Sequence, residues 1–143
     1  MNKPEFVYVT YIASTLEKVW EALTTGEFTR QYWGGRTIQS EWKPGSAVKH
    51  IKEDGSFDWQ GEVLAAERPK LLSYTFGNVH GERPSRVTFE LAQFGAHVKL
   101  TLTHDQFDEG SKVLPAISNG WPAILSSMKS LLETGKALYP EWR

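Results

Sequence analysis

The stretch Gly120–Glu133, GWPAILSSMKSLLE, decides the fold, because Trp121, Ile124, Leu125, Met128, Leu131 and Leu132 recur at steps of three and one. That spacing draws one broad apolar face along a helix. Upstream, Val113, Leu114 and Ile117 carry the same period, and Pro122, which has no backbone N–H to give, predicts a kink or a restart between the two segments.

The chain before this helix has a different rhythm. Phe6 to Ile12 is rich in β-branched and aromatic residues and predicts an opening strand. Ser14 with Glu17 three residues later has the form of a capping box, and Leu16, Val19, Trp20 and Leu23 follow at helical spacing. A second short helix is expected from Gly26 to Tyr32, with Thr25 as its cap and Gly34-Gly35 as its stop. From Thr37 to His104 the period becomes two, punctuated by Pro44-Gly45, Asp54-Gly55, Arg68-Pro69, Gly77 to Pro84 and Gln93 to Ala96. Leu72, Tyr74 and Phe76 share one phase, as do Val87, Phe89 and Leu91, and again Val98, Leu100 and Leu102. Antiparallel strands with one wet and one covered face produce that alternation. The fold class is therefore α+β, and residues 1–143 form one domain with no repeat or linker dividing it.

Six or seven strands at ~4.8 Å spacing make a sheet roughly 30 Å wide, while a helix with its side chains is only ~10–12 Å across. One long helix cannot cover such a face, even if the sheet curls around it and two short helices plug one end. The remaining volume is filled by large side chains or left as a pocket. The inward Trp59, Tyr74, Phe76 and Phe89, facing Trp121, Leu125 and Met128, are where that choice is made, and they are the candidate ligand-binding residues. The stripe from Trp121 to Leu132 is core in part, and only its N-terminal half, where Pro122 perturbs the packing, is expected to serve as a ligand wall.

Composition narrows the functions available. Cysteine is absent, which removes disulfides, thiolate metal sites and thiol nucleophiles. Sixteen basic side chains against seventeen acidic ones give a net charge of −1 without a block of either sign, so neither nucleic acid nor a membrane surface is an expected partner. No signal-peptide apolar region opens the chain and no run is long enough to span a bilayer, so a cytoplasmic protein is expected. Six tryptophans, five tyrosines and seven phenylalanines suit a large core or a ring-lined cavity.

Reactive groups are sparse. Of His50, His80, His97 and His104, the last two are seven residues apart, which puts them on opposite faces of one strand and prevents a shared metal. His104 continues the inward phase of Leu100 and Leu102, either as a hydrogen-bonded core histidine or as a polar group at the end of the pocket; it joins the candidate site with Tyr74 as an orienting group. The acidic clusters Asp105, Asp108, Glu109 and Glu53, Asp54, Asp58 sit at expected turns without calcium-loop spacing and read as solvated loop residues. Tyr32, Trp33 and Trp42 read as packing between helix and sheet, or else as the rim of the pocket mouth. No P-loop, GxGxxG or GxSxG motif occurs, and no catalytic, metal-ligating or cofactor-binding residue is assigned.

STLEKVWEALTT, RQYWGG, SEWKPGSAVKH, GEVLAAERPKLLSYTF, VTFELAQFGAHVKLTLTH and GWPAILSSMKSLLETG, in that order, resemble the domain related to activators of the heat-shock-protein-90 ATPase. That family lies within the START, polyketide-cyclase and pollen-allergen (SRPBCC) superfamily. The resemblance covers nearly the whole chain and implies a helix-grip, START-like fold, in which a curved antiparallel sheet wraps a long C-terminal helix over a hydrophobic cavity. It also implies a possible chaperone or other protein partner. The full-length co-chaperones carry a further N-terminal domain without a counterpart in this sequence, so activation of the chaperone is not carried over. Three functions stay open: binding of an apolar small molecule between sheet and helix, a chaperone-associated interaction module, and a cyclase-like or hydrolase-like enzyme for which only His104 and tyrosines could act as acid or base.

Overall fold

A computed structural model describes residues 4–77 and 81–138. Strand β1 (Phe6–Ile12) leads into helices α1 (Leu16–Thr24) and α2 (Gly26–Tyr32), then β2 (Thr37–Gln39), β3 (Ala47–Ile51), β4 (Phe57–Glu67), β5 (Leu71–Phe76), β6 (Ser85–Phe94), β7 (His97–Asp105) and the long helix α3 (Val113–Thr134). The strands form one antiparallel sheet of seven in the order β1-β7-β6-β5-β4-β3-β2. This is the helix-grip arrangement: a meander closed at one edge by the first strand, with α3 against its inner face. No helix among the described residues is long and apolar enough to cross a membrane.

Period-two burial is carried through: Val87, Phe89 and Leu91 of β6 and Val98, Leu100, Leu102 and His104 of β7 are buried on the inner face. β4 passes close to β5 at Gly61, where a Cβ would lie 1.9 Å from the Thr75 carbonyl oxygen, so only glycine fits that approach.

Two local expectations are corrected. The N-cap of α1 is Thr15 and not Ser14: Thr15 has the extended backbone a cap requires, and its hydroxyl accepts from the Lys18 N–H at 3.2 Å. Glu17 is thereby freed to pair with Arg68 at 2.7 Å instead of closing a capping box. Thr25 is the N-cap of α2 as expected, with extended backbone, although its hydroxyl donates to the Glu21 carbonyl of the helix before it and makes no side-chain cap bond. The second concerns α3: of the kink or restart expected at Pro122, the restart does not occur, and the segment runs as a single helix of 22 residues. One missing backbone bond is outweighed where Trp121, Leu125 and Met128 are all at most 1% exposed, since burial of each contributes ~1.5–3 kcal/mol.

The C-terminal half of α3 is fastened to the β1 edge. Glu133 accepts from the Ala13 N–H at 2.7 Å, and Lys129 Nζ donates to the Tyr11 carbonyl at 2.7 Å. Gly135, in the left-handed region at φ 84°, ends the helix by donating its N–H to the Leu131 carbonyl. With its far half held over β1, the helix leaves the β3–β4 side of the sheet to be covered by its N-terminal half alone.

Candidate functional site

On that side lies a cleft of about 590 Å³. Its floor is His50 of β3, Trp59 of β4 and Phe76 of β5; its helical wall is Val113, Ala116, Ile117, Gly120, Trp121, Ala123 and Ile124; Trp33, Gly34 and Arg36, from the link between α2 and β2, close the third side. Exposed Asp58 and Asn119 stand at the mouth. A broader depression of about 1020 Å³ between the 83–84 and 106–114 segments is a surface groove of mixed polar and apolar lining in which Arg83 and Asp108 pair.

The floor is built by a β-bulge. His50 pairs with Trp59 and Ile51 with Phe57, which leaves Asp58 as an extra residue on β4. Its carboxylate turns to Arg36, which donates from Nε at 2.8 Å; both side chains are about a third exposed, 32% and 30%. Asp58 is therefore a strand residue with a partner and not the solvated loop acid its neighbourhood suggested. The paired imidazole and indole stack with ring centroids 3.5 Å apart, and Trp33 meets His50 edge-on at 5.0 Å and Trp121 at 5.1 Å.

His50 is 1% exposed, and its Nε2 is a buried side-chain nitrogen without a hydrogen-bond partner among the described residues. Burial holds its pKa well below the ordinary imidazole value, with the Arg36 guanidinium pushing the same way, so the ring is neutral. A neutral imidazole with an unused nitrogen, walled by indoles, is a polar point with nothing yet to bond.

Of the residues expected from the sequence, Trp59, Phe76 and Trp121 line the cleft. Tyr74, Phe89, Leu125 and Met128 are packed into the core beside it, each at most 2% exposed. His104 is likewise a core residue. Trp121 Nε1 donates to its Nδ1 at 3.0 Å, which places the ring proton on Nε2, and that nitrogen donates to Ser85 Oγ at 2.6 Å. Burial lowers its pKa to about 4 against an opposing pull from Asp105. The three rings near α2 divide: the Tyr32 hydroxyl donates to the Ala22 carbonyl and Trp42 Nε1 to that of Thr24, both as packing, while Trp33 lines the cleft.

Sequence reasoning missed further cleft residues, six of which matter here. His50 had a signal, since it shares the inward phase of Val48 in β3. Ala116, Gly120 and Ala123, at steps of four and three, had one as well: they are the low places on the helix wall, and a Cβ at Gly120 would meet no atom within 4 Å. Arg36 and Asp58, 22 residues apart, had none.

The family described as "Activator of Hsp90 ATPase homolog 1-like protein" matches residues 13–133. The chain belongs to this family. Its fold serves ligand or protein binding. No curated protein matches the sequence. Among solved structures, the chain is similar to the Aha1 dimer from Colwellia psychrerythraea, at 22% identity over 94% of this chain and 99% of that one, with a TM-score of 0.79. A protein from Staphylococcus saprophyticus aligns at 22% identity over 95% and 96% of the two chains, with a TM-score of 0.77. One from Cytophaga hutchinsonii aligns at 27% identity over 92% and 96%, with a TM-score of 0.71.

Proposed function

We propose that this family member binds an apolar small molecule in the cleft between the N-terminal half of α3 and strands β3–β5. The observation that carries this is a ring-walled volume of about 590 Å³ whose floor holds a buried nitrogen without a partner. Volumes of ~300–1,000 Å³ with mostly apolar walls and one or two polar points are what small-molecule sites require. Transfer of apolar surface from water supplies the affinity, and the polar point supplies orientation. Trp59, Phe76 and Trp121 contact the ligand; Tyr74, Phe89, Leu125 and Met128 set the depth of the cleft from behind; His104 holds Trp121 in place.

Native mass spectrometry of freshly purified protein, followed by titration of the emptied protein with naphthalene, tests the proposal. A retained adduct, or saturable binding that Gly120→Leu weakens at least about tenfold, is the expected result, because the added side chain would occupy the cleft. Absence of both overturns it.

A second reading, a chaperone-associated interaction module acting through exposed surface, is favoured by the family's description. Co-purification of a chaperone with the native protein, lost in a charge-reversed surface variant, supports it, and equal recovery from both counts against it. The enzyme reading is weaker, because both nitrogens of His104, the acid or base the sequence offered, are engaged within the core.

A further inference from the structure

Resting on the cleft as a ligand site, we infer that His50 selects the ligand's polar group, and that this group is a hydroxyl on an otherwise apolar, uncharged molecule. Three observations lead there. First, Nε2 of His50 is buried and without a partner, so the free protein already bears the cost of desolvating it. A ligand that bonds to this nitrogen recovers that cost, whereas one that cannot leaves it in place. Second, a neutral imidazole nitrogen is an acceptor in one tautomer and a donor in the other, and nothing bonded to Nε2 fixes which. A hydroxyl satisfies either tautomer, a carbonyl only one. Third, the cation nearest the floor, Arg36, is bonded to Asp58 at 2.8 Å, so the pair brings no net charge. A ligand carboxylate would have to break that pair or be buried beside an uncharged imidazole, both of which cost free energy.

Trp33 borders the imidazole. It is half-buried, stands edge-on to the imidazole, and is followed by Gly34 and Gly35 at φ 53° and 78°. The His50 ring forms part of the cleft floor while Nε2 itself is covered, so a ligand hydroxyl reaches Nε2 when a neighbouring side chain turns aside.

The test compares naphthalene, 2-naphthol and 2-naphthoate by calorimetric titration of the native protein and of His50→Phe, at neutral pH where 2-naphthol is un-ionised. Native protein should prefer 2-naphthol over naphthalene by about tenfold, the worth of one good buried hydrogen bond, and should bind 2-naphthoate more weakly than 2-naphthol. In His50→Phe the preference for 2-naphthol should vanish while naphthalene still binds. A readout that does not depend on the variant's folding is the ¹⁵N resonance of the His50 ring in native protein, which should shift with 2-naphthol much more than with naphthalene. Equal affinity of native protein for naphthalene and 2-naphthol, a preference that survives His50→Phe, or an unmoved His50 resonance overturns the role of His50 and leaves the cleft as a binding site. Failure of all three compounds to bind native protein overturns both.

Discussion

The inner face of the sheet has a packed region and an open one, and each holds a buried histidine. On the packed side, His104 uses both ring nitrogens, one toward Trp121 and one toward Ser85, and Phe107 stacks on it with ring centroids 4.7 Å apart. On the open side, His50 lies flat on Trp59 with Nε2 unbonded, facing a helix wall lowered by Ala116, Gly120 and Ala123. Phe76 sits between the two imidazoles, 5.1 Å from one and 6.3 Å from the other. The residue type is shared and the depth is nearly so, 0% and 1% exposed. What separates a structural histidine from a site histidine here is whether its hydrogen bonds are complete.

The contrast can be broken most severely from the packed side. Leu125→Asp puts an unpaired carboxylate where the side chain is 1% exposed, and should abolish the cooperative thermal transition. An unchanged melting temperature would show that the inward face of α3 is misassigned. His104→Phe strands the Trp121 indole N–H and the Ser85 hydroxyl together, so urea denaturation should show a loss of about 2–4 kcal/mol.

Acid should act through the same residue. With a folded pKa of about 4 and an unfolded value of 6.5, the unfolded chain binds the proton first. Stability from His104 is thus complete above pH 6.5 and falls as the pH drops toward 4, by about 3 kcal/mol in all. His50, also depressed, adds a loss of the same sign. Stability measured against pH in native protein and in His104→Phe should diverge above pH 6.5 and converge on acidification.

The open side should respond weakly or in the opposite direction. Gly120→Ala should raise stability by about 0.5–1 kcal/mol, because a mid-helix glycine is replaced where a Cβ meets no atom within 4 Å. His50→Phe, which keeps a flat ring on Trp59 and removes an unsatisfied nitrogen, should change stability by less than about 1 kcal/mol in either direction. A loss as large as that of His104→Phe would erase the distinction between the two histidines.

Much of the fold was legible because burial on one face leaves its mark at a fixed period. The inward phases of β5, β6 and β7 and the stripe of α3 were all readable from spacing, and so was the shortfall in cover, which follows from the widths of a sheet and a helix. The cleft's position on the β3–β4 side was not legible, because it depends on Glu133 and Lys129 holding the far half of α3 to β1, contacts 120 and 118 residues apart in the chain. Inward phase also failed to separate wall from core: Tyr74 and Phe76 share one phase, yet only Phe76 reaches the cleft. His104 looked like the pocket's polar group because it continues the phase of Leu102. Only the location of Trp121 and Ser85, 17 and 19 residues away, shows that its bonds are already made.

The indole N–H resonances offer the most direct test of the cleft as a binding site. On addition of naphthalene, the signals of Trp33, Trp59 and Trp121 should shift together and saturably, because all three rings line the cleft, while those of Trp20 in α1 and of Trp42, bonded to the Thr24 carbonyl, stay in place. Shifts confined to Trp20 and Trp42, or none at any concentration, would contradict it.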